Sequence, residues 1–145
     1  VIRLSLLLLL AAAPVAADPI TSADKLLAYH RSACSAQGGT LTIPDAARRP
    51  AFLSGPEDPS ILLDTSKLSC STAPAMFCGE GVGCELNVFV GDAQHSLVVL
   101  DWSLVPDDDR QLLQVTIAGE LINQPEPGIF RMTWDNETNG LVTVD

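Results

Sequence analysis

Residues 86–102 read LNVFVGDAQHSLVVLDW, and this stretch decides the fold. Leu86 to Val90 is a short apolar run interrupted only by Asn87. Ser96 to Trp102, with Leu97 to Leu100 apolar, is the next strand, and Gly91-Asp92 is a turn between the two. Val, Leu and Phe favour extended backbone, and glycine takes the positive φ that a tight reversal needs. The stretch therefore reads as strand, turn, strand.

Toward the C-terminus the period of two persists. Leu113, Val115 and Ile117 alternate with Gln114 and Thr116, residues 124–128 (QPEPG) form a loop, and Phe130, Met132 and Trp134 share one face of a strand. Asn139-Gly140 between two such patterns is a hairpin signal, and Leu141 to Val144 is the last strand. Toward the N-terminus, Ser60 to Asp64 is a short apolar strand, and Thr40 to Ile43 starts another that Pro44-Asp45 stops. Pro44, Pro50, Pro56 and Pro59 make residues 44–60 an irregular connection. Before all of these the period changes. Ala23, Leu26, Leu27, His30, Ala33, Cys34 and Gln37 recur at i, i+3, i+4, a helix of about four turns. Thr21 or Ser22 is placed to cap it, Asp24 favours its positive end, and Gly38-Gly39 ends it. The expected fold is α+β: one N-terminal amphipathic helix packed on a mostly antiparallel β-sheet, stapled by disulfides.

Residues 1–17 stand apart. Arg3, the apolar run from Leu4 to Ala13, Pro14 and the small residues Val15-Ala16-Ala17 have the layout of a secretory signal, cut after Ala17. The run is shorter than the ~20 residues a spanning helix needs. This leaves residues 18–145 as a single domain, with no membrane insertion once the signal is removed. Of its 128 residues, 54 are apolar, so the positive mean hydropathy comes largely from the leader.

Cys34, Cys70, Cys78 and Cys84 all lie beyond the leader, and an even count behind an export signal reads as two disulfides. Three pairings are possible. Three glycines among residues 79–83 let Cys78 and Cys84 fold back on each other, and Cys34–Cys70 follows by exclusion. Zinc spacing is absent, and His30 and His95 are the only histidines. His30 and Cys34 share a helix face, but a disulfide uses up the thiol that a nucleophile or metal ligand requires.

The whole chain carries −10, and without Arg3 the balance is 7 basic to 18 acidic residues, near −11. Nucleic acid and anionic membrane surfaces demand the opposite sign, whereas a basic protein partner is compatible. The densest run, Asp107-Asp108-Asp109, reads as a solvated turn between strands. His95-Ser96 sets a base beside a hydroxyl, but neighbours on a strand point to opposite faces. No nucleophile elbow, zinc-protease helix or phosphate loop is present. No catalytic residue, cofactor or metal ligand is assigned. Residues 135–140 (DNETNG) match the start of a calcium loop, but the closing Glu is missing and a hairpin accounts for the pattern. Asn136-Glu137-Thr138 is also a glycosylation sequon.

Three stretches, residues 34–41 (CSAQGGTL), 61–64 (ILLD) with 68–70 (LSC), and 77–79 (FCG) leading to Gly83-Cys84, resemble small exported proteins of alphaproteobacteria, mostly uncharacterised. In that group the segment before the Ile-Leu-Asp strand often resembles the calcium loop of FG-GAP or VCBS repeats. Here the frame is kept at Leu53, Gly55 and Pro59, while Phe52, Ser54, Pro56 and Ser60 stand at the ligand positions. Glu57 and Asp58 are out of register. The resemblance implies export and disulfides and supplies no activity. The reading that follows is a non-enzymatic, exported, acidic binding or envelope-associated module. The alternatives are a structural domain derived from a calcium-loop repeat and a small hydrolase using scattered carboxylates.

Overall fold

The computed structural model describes residues 18–144, so the expected leader, residues 1–17, lies outside the described residues. One helix, α1 (Pro19–Ala36), precedes eleven strands. These are β1 (Leu41–Thr42), β2 (Arg48–Ala51), β3 (Ser60–Asp64), β4 (Ser69–Cys70), β5 (Cys78–Gly79), β6 (Gly83–Val90), β7 (Ala93–Val99), β8 (Asp101–Asp107), β9 (Arg110–Ile117), β10 (Gly128–Asp135) and β11 (Gly140–Val144). All strand pairings are antiparallel, so the α+β reading holds.

The helix starts earlier than its sequence suggests. Asp18, not Thr21 or Ser22, is the cap: its carboxylate accepts the Ile20 N–H at 3.0 Å. Pro19 follows, where a missing N–H costs nothing and the fixed φ suits the first turn. At the other end Gln37 and Gly38, the latter at φ 73°, turn the chain away. Ala23, Leu27 and Cys34 are buried, and Leu26, His30 and Ala33 half-buried, which is the expected stripe without Gln37. Yet Ile20 and Tyr29 are exposed, so apolar residues lie on the outer side too and the helix is not clearly amphipathic. A helix lying on one sheet face needs only a narrow stripe, which leaves the outer positions free.

The sheet divides in two. The first runs β2-β3-β6-β7, with the short β5 beside the start of β6, and the second runs β11-β10-β9-β8. β1 and β4 form a separate two-stranded ribbon. Leu62, Leu86, Val88, Leu113, Val115 and Trp134 fill the space between the sheets. A second cluster, including Ala23, Leu27, Leu63, Leu68 and Phe89, lies between the first sheet and α1. β3 and β6 are thus covered on both faces, which is why residues 61–63 and 88–90 are unbroken apolar runs. β7 extends past the helix and alternates: Ala93, His95 and Leu97 are half-buried, Gln94, Ser96 and Val98 exposed.

Two readings are corrected. Residues 96–102 are not one strand; the chain bends at Leu100 and passes from the first sheet to the second. At the bend the Leu100 N–H donates to the Thr116 carbonyl at 2.8 Å. Residues 44–60 are not wholly irregular, because Arg48–Ala51 pairs with Ser60–Leu63. Pro50 is tolerated there because β2 is an edge strand. The two residues after β2 then knit the sheets together. Phe52 exchanges bonds with Gln111 through its N–H (3.0 Å) and carbonyl (2.9 Å). The Leu53 carbonyl accepts from Thr133 Oγ1 at 2.9 Å, and the Leu53 side chain is fully buried.

Candidate functional site

β2 and β8 are the edges of their two sheets on the same flank, and a cleft lies at each end of the seam between them. The first cleft, about 360 Å³, is lined by residues 54–58 from the loop after β2 and by residues 107–110 from the β8–β9 hairpin. Register explains the second wall. Asp107 faces Arg110 across the ladder, so Asp108-Asp109 is a two-residue hairpin turn, with Asp108 at φ 50°. The first wall is a closed turn in which Asp58 N–H donates to the Gly55 carbonyl at 3.3 Å and Ser54 Oγ donates to the Asp58 carboxylate at 3.2 Å. Five carboxyl groups therefore meet at this end: Glu57, Asp58, Asp107, Asp108 and Asp109. Arg110 answers only Asp107, through Nε to Oδ2 at 2.9 Å.

Seven strand residues away, roughly 20–25 Å along β8, the second cleft has the opposite character. Arg48, Arg49, Lys67, Asp64, Asp101 and Trp102 line it. Arg49 sits over the Trp102 ring, 5.7 Å from its centroid, and Arg48 pairs with Asp24 of α1. Asp64 is buried at its floor and accepts from Trp102 Nε1 and from the Ser66 N–H, each at 2.9 Å. The fold thus separates charge along one flank, acidic at the β8–β9 turn and mixed at the β8 start.

The residues singled out from sequence fall as follows. Cys34 joins Cys70 and Cys78 joins Cys84. The first pair is fully buried where α1 meets the β1–β4 ribbon; the second spans facing residues of β5 and β6. His30 is stacked edge-on against Phe77, 5.0 Å between ring centroids. Burial holds its imidazole below the ordinary histidine range, and the nearby Glu85 charge partly opposes this. The structure keeps His95 and Ser96 apart. His95 Nδ1 accepts the Leu141 N–H at 3.4 Å, while Ser96 Oγ donates to Asn87 Oδ1 at 2.6 Å on the other face.

Residues 135–140 form the β10–β11 turn. The Asp135 carboxylate accepts the Thr138 hydroxyl at 2.8 Å and the Glu137 N–H at 3.0 Å, which draws its pKa down. In the 52–60 loop, Ser60 Oγ is turned inward to the Ala51 carbonyl at 2.9 Å, and the Phe52 backbone is bonded to Gln111. Among the described residues no three carboxylates, imidazoles or thiols converge at metal-ligand spacing. Sequence reasoning missed the acidic cleft itself. Each wall was visible, but nothing in the chain signals that residues 54–58 and 107–109 are neighbours.

Comparison with protein-family models, with curated proteins and with solved structures returns no match to this chain. No helix of the described residues is long and apolar enough to cross a membrane, and the two disulfides are compatible with an extracytoplasmic protein.

Proposed function

We propose that the protein is an exported, non-enzymatic binding module of the periplasm or medium whose acidic end receives a basic protein. The supporting observation is the meeting of the 54–58 loop and the Asp108-Asp109 turn. It concentrates five carboxyl groups beside one partnered arginine on a body already near −11. Like charges brought together focus the field of a surface and steer an oppositely charged partner. Both walls stand on ordered backbone, a hairpin turn and a closed loop, so the charge arrangement is set before a partner arrives. A cationic, lysozyme-type hydrolase is a partner of suitable chemistry, and inhibiting or trapping it is a matching role.

The test titrates the oxidised protein against such a hydrolase by calorimetry, with activity followed in parallel. Binding at low salt that fades toward about 1 M, where the screening length is about 3 Å, supports the reading. Binding that ignores salt, or none at low salt, contradicts it.

A further inference from the structure

The two disulfides differ in burial and in the length of chain they close. Cys34–Cys70 closes a 36-residue separation and both residues are fully buried. Cys78–Cys84 spans a separation of only 6, and both residues are partly open to solvent. A short loop removes less chain entropy when closed, so this bond restrains the chain less than the longer one. Cys84 also lines a small cleft of about 150 Å³ together with Asp64, Lys67, Asp101 and Trp102. An attacking thiolate can enter there, with Lys67 offsetting part of the negative charge of Asp64 and Asp101. Below the bridge the hairpin has its own hold. Thr65 Oγ1 donates to the Glu85 carbonyl at 2.7 Å, and Glu85 N–H donates to the Phe77 carbonyl at 3.4 Å. The tip between them carries Gly81 at φ 77° and Gly83 at φ 100°, and β5 adds only two residues of pairing.

From these contrasts we infer that Cys78–Cys84 is a thiol–disulfide exchange site, opened by a dithiol reductant of the oxidoreductase class while Cys34–Cys70 persists. The reductant's thiolate attacks Cys84 Sγ, the Cys78–Cys84 bond breaks, and Cys78 leaves as a thiolate that takes a proton. The reductant's second thiol then attacks its own mixed-disulfide sulfur and releases Cys84 as a thiol. Two electrons pass to the protein, and the reductant ends as its disulfide. The hairpin tip beside Trp102 is released, while its base stays bonded to Thr65.

The experiment exposes the oxidised, folded protein to rising dithiothreitol, alkylates free thiols with iodoacetamide, and maps them by mass spectrometry. The expected result is a concentration range in which Cys78 and Cys84 are alkylated and Cys34 and Cys70 are not. Hydrogen exchange should then quicken across residues 78–84 and stay unchanged in α1. A parallel sample with reduced glutathione, which has no second thiol, should carry the adduct on Cys84. Reduction of both bridges together, reduction of Cys34–Cys70 first, resistance of both bridges in the folded protein, or an adduct on Cys78 would overturn the inference.

Discussion

Asp64 shows how much one side chain does here. It ends β3, caps the next turn through Ser66 N–H, and accepts the indole N–H of Trp102 from the other sheet. Asp64→Ala removes both hydrogen bonds of a buried carboxylate and leaves the half-buried indole N–H without its partner, which costs about 1–3 kcal/mol. Urea denaturation should show that loss, against a change within about 0.5 kcal/mol for the exposed Asp109→Ala. His30 gives a pH dependence of defined sign. Its folded pKa is depressed, so the unfolded chain binds more protons, and stability present above the unfolded value of 6.5 is lost as pH falls through it. Between pH 7.5 and 5.5 the wild type should lose more stability than His30→Asn; equal losses would mean that the imidazole is not held neutral by the fold. At Gly39 an added Cβ would come within 2.8–2.9 Å of both sulfurs of Cys34–Cys70. Gly39→Ala should therefore destabilise by about 1–3 kcal/mol, read as a lower melting temperature.

At the scale of elements, α1, β3, β6 and the β9–β11 meander were legible because each carries its own periodicity. The helix stripe from Ala23 to Cys34 and the alternation at Leu113, Val115 and Ile117 report local geometry directly. β2 was hidden because its Arg48-Arg49-Pro50-Ala51 sequence has no strand pattern; its pairing comes from tertiary contact with β3. The bend at Leu100 was hidden because Leu97 to Leu100 is an unbroken apolar run followed by Asp101 and Trp102, with no glycine or proline to mark a change of sheet. The link between the sheets depends on the buried Leu53. Leu53→Ala should cost about 2–5 kcal/mol in urea denaturation, as large core truncations do. Breaking Cys34–Cys70 with paired serines should lower stability more than breaking Cys78–Cys84 in the same way. The longer loop gives the larger entropy term, of roughly 2–4 kcal/mol for a typical bridge.

At the scale of the molecule, the sign and amount of charge are legible in the sequence but its placement is not. Net charge is additive and needs no fold, whereas the acidic end exists only because β2's loop and the β8–β9 turn reach the same end of the seam. Under the proposed function this end, and not the overall charge of the protein, binds a basic partner. Two triple variants with equal charge separate these. Glu57→Gln, Asp108→Asn and Asp109→Asn remove three of the five carboxylates of the acidic end, and asparagine keeps the positive φ of Asp108. Glu120→Gln, Glu126→Gln and Glu137→Gln remove three exposed charges elsewhere. The deciding measurement is the Kd of each for a cationic, lysozyme-type hydrolase at low salt. The expected result is a loss of about tenfold or more for the first triple, equivalent to about 1.4 kcal/mol, with the second close to wild type. Equal weakening of both, or a first triple that binds as tightly as wild type, would contradict it.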